Sequence, residues 1–148
     1  MKTKLLPFLS LALVSSHALA NEVLNHKSPY CGCCSEWSKH MRDAGFTVEE
    51  ELHQDMAPIK QKLGITPELS SCHTAEINGY VFEGHVPAQD IKAFLANPPK
   101  DAKGLAVPGM PMGSPGMEYG KKNDAYSVYA FNEKHQAFEY RTYPKGKF

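Results

Sequence analysis

The chain has 148 residues, of which 42% are hydrophobic and 22% are charged, and its 16 basic side chains balance its 16 acidic ones. This length suits one domain, and the composition excludes disordered, collagen-like and coiled-coil proteins. The zero net charge argues against nucleic-acid binding, which requires a basic surface.

The first twenty residues have the three parts of a secretory signal. Lys2 and Lys4 supply the positive charge, residues 5–14 are mostly apolar, and the small residues Ala18 and Ala20 match a cleavage pattern. The apolar run is too short to cross a bilayer. We therefore predict cleavage after Ala20, export to the periplasm and no stable membrane insertion of the mature chain. An uncleaved N-terminal anchor is the alternative.

The next part of the chain predicts an α/β fold, a thioredoxin-like sheet with flanking helices and a C-terminal hairpin extension. Asn78-Gly79 between two apolar runs is the signature of a tight hairpin turn. Apolar spacing predicts strands at 23–27 and from 46, helices at 34–43, 56–63 and 87–95, and hairpin strands at 74–77 and 80–82.

Residues 97–120 differ in kind, because they contain five prolines, five glycines and three methionines. A segment of this length is predicted to be either functional or disordered. Residues 126–131 and 138–143 then predict an aromatic-rich hairpin that either packs on the main sheet or mediates association. The predicted organisation is a signal peptide at 1–20, a metal-binding core at 21–97, and a loop and hairpin at 98–148 that complete the same domain.

All four cysteines follow the signal, three of them in Cys31-Gly32-Cys33-Cys34 and the fourth at Cys72. Two structural disulfides fit this clustering poorly, because a bond between neighbouring cysteines is strained. Only Cys31–Cys34 has the spacing used by thiol oxidoreductases. The trio lies where a strand leads into a helix, and free N–H groups and the helix dipole lower thiol pKa values there.

Three closely spaced thiolates repel one another, and a bound cation would relieve that repulsion. Sulfur-only ligation favours Cu(I), zinc or an iron–sulfur cluster. Structural zinc sites usually have two separated pairs of ligands, and this sequence has no second Cys-x-x-Cys. The trio therefore predicts Cu(I), with several ions bridged by shared sulfurs.

Further ligands are predicted around the cysteines. His85 lies just before a predicted helix, and imidazole binds either oxidation state of copper. Met110, Met112 and Met117 offer soft thioether sulfur from the Gly/Pro-rich segment. The alternatives are a capping role for the histidine and gap filling by the methionines. His26 and His73 are secondary candidates because each is close to a cysteine in sequence. Trp37 and Tyr30 are predicted to form a hydrophobic shell.

Five motifs, in this order, resemble the CopG-type copper-resistance proteins. They occupy residues 28–34 (SPYCGCC), 72–75 (CHTA), 79–87 (GYVFEGHVP), 104–111 (GLAVPGMP) and 113–118 (GSPGME). The resemblance implies a periplasmic thioredoxin-like domain that binds a small copper cluster through Cys31, Cys33, Cys34 and Cys72. It also implies copper detoxification, with interconversion of Cu(I) and Cu(II) beside a periplasmic efflux system as one form of it.

Two other functions use the same residues. A thiol–disulfide oxidoreductase would attack through Cys31 and resolve through Cys34. A non-catalytic copper chaperone would share every ligand with a copper oxidoreductase, so the sequence does not separate these two.

Overall fold

The structure, a computed structural model, describes residues 22–146. The predicted signal peptide at 1–20 lies outside these residues and stays a prediction. The described chain forms seven strands and three helices, in the order β1 (Glu22–Lys27), α1 (Gly32–Asp43), β2 (Thr47–Leu52), α2 (Ala57–Lys62), β3 (Thr74–Ile77), β4 (Tyr80–Glu83), α3 (Ala88–Ala96), β5 (Ala102–Ala106), β6 (Tyr126–Asn132) and β7 (Ala137–Tyr143). Within 22–146, no helix combines the length and apolar character that crossing a bilayer requires.

The seven strands form one mixed sheet in the order β2-β1-β3-β4-β5-β6-β7. β1 is parallel to β2 and β4 is parallel to β5, whereas the other neighbours are antiparallel. Asn78 and Gly79 both have positive φ, as the predicted tight turn between β3 and β4 requires. The predicted α/β class, with flanking helices and C-terminal strands, is confirmed.

The core lies on both faces of this sheet. Trp37 and Met41 of α1 and Phe94 of α3 are fully buried in the larger hydrophobic cluster, which also contains Phe82 of β4. The next residue back, Val81, belongs to the smaller cluster on the opposite face, because successive strand residues point to opposite faces. Burial of a side chain such as Met41 or Phe94 contributes roughly 1.5–3 kcal/mol. The larger cluster therefore fixes α1 and the cysteines at its N-terminus.

The Gly/Pro-rich segment at 97–120 contains a strand that its composition does not predict. β5 lies between β4 and β6, and Leu105 and Ala106 at its end, with Val107 directly after it, are fully buried. Gly104 lies so close to the backbone of Val81 that a Cβ atom would overlap it. Glycine therefore permits the strand here rather than interrupting it. Through β5, the second hairpin joins the main sheet, which was one of its two predicted placements.

Candidate metal centre

Three cysteines lie at the N-terminus of α1. The helix begins at Gly32, two residues earlier than predicted, so Cys33 and Cys34 lie in its first turn and Cys31 occupies the N-cap position. Cys34 is fully buried, whereas the other two are partly exposed. The first turn contains no acidic side chain. The positive end of the α1 dipole therefore lies at these residues, and no carboxylate of the first turn offsets it.

Cys31 and Cys34 form a disulfide with a Cα–Cα distance of 5.4 Å, whereas Cys33 and Cys72 are free thiols. This is the one pairing whose spacing matches thiol oxidoreductases. The described state is therefore the oxidised form of the trio. Reduction of this bond by two electrons and two protons gives two thiols, and all four cysteines then become available together as ligands, each losing its thiol proton when a metal ion binds.

The fourth cysteine reaches the trio, as the sequence-based hypothesis requires. The Cys72 Sγ atom lies 3.9 Å from the Cys33 Sγ atom, which is 3.5 Å from the Cys31 Sγ atom. The four Sγ atoms all lie within 4.8 Å of one another. The fold brings Cys72 there because β3, which follows it, pairs with β1, and β1 leads to the trio.

A buried carboxylate holds the loop that carries Cys72. Glu83 is fully buried on β4 and accepts hydrogen bonds from the backbone N–H of Ser71 at 2.6 Å and from the Thr74 hydroxyl at 2.6 Å. The Lys60 ammonium forms an ion pair with the same carboxylate. Burial raises the pKa of Glu83, while the charge of Lys60 lowers it. Since its partners lie on both sides of Cys72 in the chain, Glu83 fixes the position of that sulfur.

His85 faces the sulfur cluster in a defined tautomer. Its Nδ1–H donates to the Pro115 carbonyl at 2.8 Å, and its Nε2 atom lies 3.1 Å from the Cys72 Sγ atom. The ring is fully buried, and burial lowers the pKa of His85. The Nε2 lone pair of a neutral ring is therefore directed at the sulfurs, which is the arrangement of a histidine ligand whose other nitrogen is held by a second residue.

His73 is a second imidazole at this site, and sequence reasoning ranked it only as a secondary candidate. Its Nδ1 atom lies 3.4 Å from the Cys72 Sγ atom, and its ring packs against Trp37 with centroids 4.6 Å apart. Burial lowers the pKa of His73 well below its ordinary value. The only sequence signal was its position next to Cys72. Of the two predicted shell residues, Trp37 is buried here, whereas Tyr30 is 85% exposed and does not belong to the shell.

The Gly/Pro-rich segment packs on the site through its backbone. Gly116 has φ +88°, and a Cβ atom there would lie 2.6 Å from the Cys33 carbonyl oxygen and 2.8 Å from the Trp37 backbone nitrogen. Only glycine therefore allows this close approach. The three methionines have different environments: Met117 is buried, Met112 is half-buried and Met110 is 53% exposed. Copper ligation by these methionines stays a prediction.

The donor set fits a soft cation. Burial, and after it the neighbouring Cys33, raises the pKa of Cys72 to about 12. A buried thiolate at this position therefore needs a compensating positive charge, and ligation supplies one because a bound metal ion displaces the thiol proton. Four sulfurs with an imidazole nitrogen are ligands typical of Cu(I), and the imidazole also suits Cu(II).

Comparison with known proteins agrees with this chemistry. The family model described as "Protein of unknown function, DUF411" matches residues 69–117, which include Cys72, His85 and the three methionines. Comparison with curated proteins gives no match. Two solved structures, named "Copper resistance protein copG- Form 2" and "Copper resistance protein copG- Form 1", are each 43% identical to this chain. Both matches cover 83% of this chain and 98% and 97% of theirs, with TM-scores of 0.79 and 0.78. The chain therefore belongs to the CopG family of copper resistance proteins.

Proposed function

We propose that this chain is a periplasmic copper-binding protein of copper resistance, which holds Cu(I) through Cys31, Cys33, Cys34 and Cys72. One observation carries the proposal: the four Sγ atoms lie within 4.8 Å of one another, although a long stretch of chain separates the fourth from the trio. Four soft ligands in so small a volume suit Cu(I) better than harder ions.

The proposed site holds more than one copper ion. Four thiolates that each face several neighbours are able to bridge metal ions, and bridging lowers the repulsion between the sulfurs. His85 completes the site through its Nε2 atom, and the loop at 107–125 limits access of water. The role of His85 is supported by its 3.1 Å contact with the Cys72 Sγ atom and by its hydrogen bond to the Pro115 carbonyl, which belongs to that loop.

The proposal includes interconversion of Cu(I) and Cu(II). Thiolates stabilise the lower oxidation state and imidazoles accept both, so a mixed site is suited to redox cycling. Reversible oxidation of the bound copper without loss of metal would support this. Release of copper on oxidation would instead indicate a non-catalytic carrier. Delivery to a periplasmic efflux system belongs to the same proposal.

The proposed organisation is a single domain that follows a signal peptide at residues 1–20. β5 lies inside the sheet between β4 and β6, so 98–148 contributes strands to the same sheet as the core at 21–97. The contacts of Gly116 and Pro115 with the site likewise join the two segments.

Anaerobic loading tests the proposal. The mature chain is fully reduced, supplied with Cu(I) and passed over a chelating column, and the copper and protein that remain together are counted. We expect at least one tightly held copper ion per chain, and a large loss in the Cys31→Ser, Cys34→Ser double variant. The control is His135→Asn, an exposed histidine in the turn between β6 and β7. Fewer than one retained ion, or an unchanged count in the double variant, would contradict the proposal.

Thiol–disulfide exchange is a second candidate, favoured by the Cys31–Cys34 disulfide at the start of α1. In its reduced form the Cys31 thiolate would attack a substrate disulfide, and Cys34 would then resolve the mixed disulfide and release a substrate dithiol. An assay of protein-disulfide reduction with copper chelated separates the candidates. Robust turnover without metal would favour exchange chemistry, and its absence would favour copper binding.

A further inference from the structure

A second group of ligand-type side chains lies on the sheet, apart from the four cysteines. His26 is on β1, Glu51 is on β2, and His53 follows β2 directly. The His26 Nδ1 atom lies 3.0 Å from the His53 Nε2 atom and 3.7 Å from the Glu51 carboxylate. The His53 Nε2 atom lies 3.2 Å from the other oxygen of that carboxylate. We call these three residues the His-Glu cluster.

The spacing of these atoms matches the edges of a metal coordination shell. Ligands about 2.0–2.1 Å from a tetrahedral ion are separated from one another by roughly 3.3 Å. The two nitrogens are 3.0 Å apart, and each lies 3.7 or 3.2 Å from a different oxygen of the Glu51 carboxylate, so these distances lie on either side of that value. One ligand atom from each of the three residues lies within 4.8 Å of the other two, so a small rotation of the Glu51 carboxylate brings one of its oxygens into a shell shared with both nitrogens.

A fourth residue orients the buried histidine. The His26 Nε2 atom lies 2.9 Å from the Glu76 carboxylate of β3, which accepts the Nε2–H hydrogen bond. This leaves the lone pair on Nδ1, the nitrogen that faces Glu51 and His53. A carboxylate behind a histidine is the usual support of a metal-ligating imidazole. The backbone N–H of His53 donates to the Lys27 carbonyl at 2.9 Å, which holds the backbone of His53 beside the end of β1.

The cluster is closed towards the protein and open towards solvent. His26 is 5% exposed, whereas the Glu51 side chain is 51% exposed and the His53 side chain is 18% exposed. An ion would therefore enter beside Glu51 and reach His26 last. His26 also points away from α1, because it alternates with Asn25, whose side chain donates to Ser38 of α1 at 2.9 Å.

The geometry points to a second metal site, in which His26 Nδ1, His53 Nε2 and a Glu51 oxygen bind one divalent transition-metal ion. Two imidazoles and a carboxylate are harder ligands than the cysteines, so this site takes divalent ions where the sulfur site takes Cu(I). Among divalent ions of this class, Cu(II) is bound most tightly. The protein would then bind both oxidation states of copper, at two separate groups of ligands.

Cu(II) binding to a chain without free thiols tests the inference. In the full chain, Cys33→Ser with Cys72→Ser leaves only the Cys31–Cys34 disulfide, so no thiol remains to reduce Cu(II). Cu(II) is added to one equivalent, its affinity is measured by competition with a chelator, and nitrogen couplings are read by electron paramagnetic resonance. We expect one ion with couplings from two imidazoles. Because this experiment omits the sulfur ligands, its failure leaves the proposed Cu(I) site untouched.

Variants of the cluster assign the ion to its residues. His53→Ala and Glu51→Gln are expected to weaken Cu(II) binding at least about a hundredfold, and Glu76→Gln roughly tenfold. The matched control is Glu49→Gln, an exposed acid on the same strand, which should bind as the parent does. Circular dichroism verifies the fold of each variant. Affinity that is unchanged in His53→Ala, or equally lowered in Glu49→Gln, would overturn the inference.

Discussion

The sulfur site has two halves that are built in different ways. The contiguous half, Cys31, Cys33 and Cys34, is formed by one helical turn, and its geometry follows from the start of α1. The assembled half, Cys72 and His85, comes from two other segments that β3 and β4 bring to the same place. A local motif supplies most of the sulfur, but tertiary structure decides whether it becomes a four-sulfur site. Variants of the assembled half should therefore separate folding from metal binding.

The largest expected effect is on stability, through the support of the assembled half. Glu83→Gln leaves the Lys60 ammonium, whose side chain is only 13% exposed, without the charge of its fully buried partner. Because such a charge loses its compensation, we expect the free energy of unfolding to fall by about 3–5 kcal/mol. Urea unfolding of the reduced protein measures it. The control is Glu133→Gln, whose ion pair with Lys103 has a 77% exposed carboxylate and should contribute less than about 1 kcal/mol. Equal losses in both variants would contradict the assigned role of Glu83.

Removing the sulfur of the assembled half should come next. Cys72→Ser leaves the contiguous trio intact, and we expect Cu(I) affinity to fall at least about a hundredfold, because loss of a direct ligand exceeds the usual effect of losing a supporting residue. Competition with a Cu(I) chelator measures the affinity. Ser70→Ala, two residues away, serves as the control. If Cys72→Ser binds as tightly as the parent, the trio alone holds the metal and the assembled half is dispensable.

The close approach of the loop predicts an intermediate effect. In Gly116→Ala, a residue with a Cβ atom must adopt positive φ, and that atom lies against the backbone of α1. We expect the free energy of unfolding, measured by heat or urea, to fall by about 1–3 kcal/mol. The matched change is Gly32→Ala in the same helical turn, where no atom lies within 4 Å of the added carbon. That variant should be neutral or stabilised by up to about 1 kcal/mol. If Gly32→Ala lost more stability than Gly116→Ala, the packing described for Gly116 would be refuted.

The smallest expected effect concerns the imidazole of the assembled half. His85→Gln removes the Nε2 atom that faces the Cys72 Sγ atom at 3.1 Å but leaves all four sulfurs. We expect Cu(I) affinity to fall by roughly tenfold. Chelator competition is again the measurement, with His135→Asn as the control. If His85→Gln lost more Cu(I) affinity than Cys72→Ser, the imidazole would matter more than the sulfur, which would contradict a sulfur-dominated site.

The same comparison shows what the sequence predicts and what it does not. The cysteine trio, its place at the start of a helix and the favoured Cys31–Cys34 spacing follow from local patterns, which depend on neighbouring residues alone. The convergence of Cys72 needed the pairing of β3 with β1, which is a long-range contact. The family resemblance pointed to this convergence, whereas residue spacing alone did not establish it.

Two features escaped sequence reasoning for definite physical reasons. β5 was hidden because Gly104 and the nearby prolines are typical of loops, although glycine is what allows that strand to approach Val81. The His-Glu cluster was hidden because His26 lies on a different segment from Glu51 and His53 and becomes their neighbour only when β1 pairs with β2. Exposed-looking acids in the sequence gave no sign that one of them faces two imidazoles.

X-ray absorption at the copper edge is the most direct test of the central claim, that four converging sulfurs bind Cu(I). The fully reduced full chain would be loaded with Cu(I) and compared with the Cys72→Ser variant. We predict a first shell dominated by sulfur in the parent, with fewer sulfur neighbours per copper ion in the variant. A first shell of nitrogen or oxygen alone, or identical spectra from the two proteins, would contradict the account.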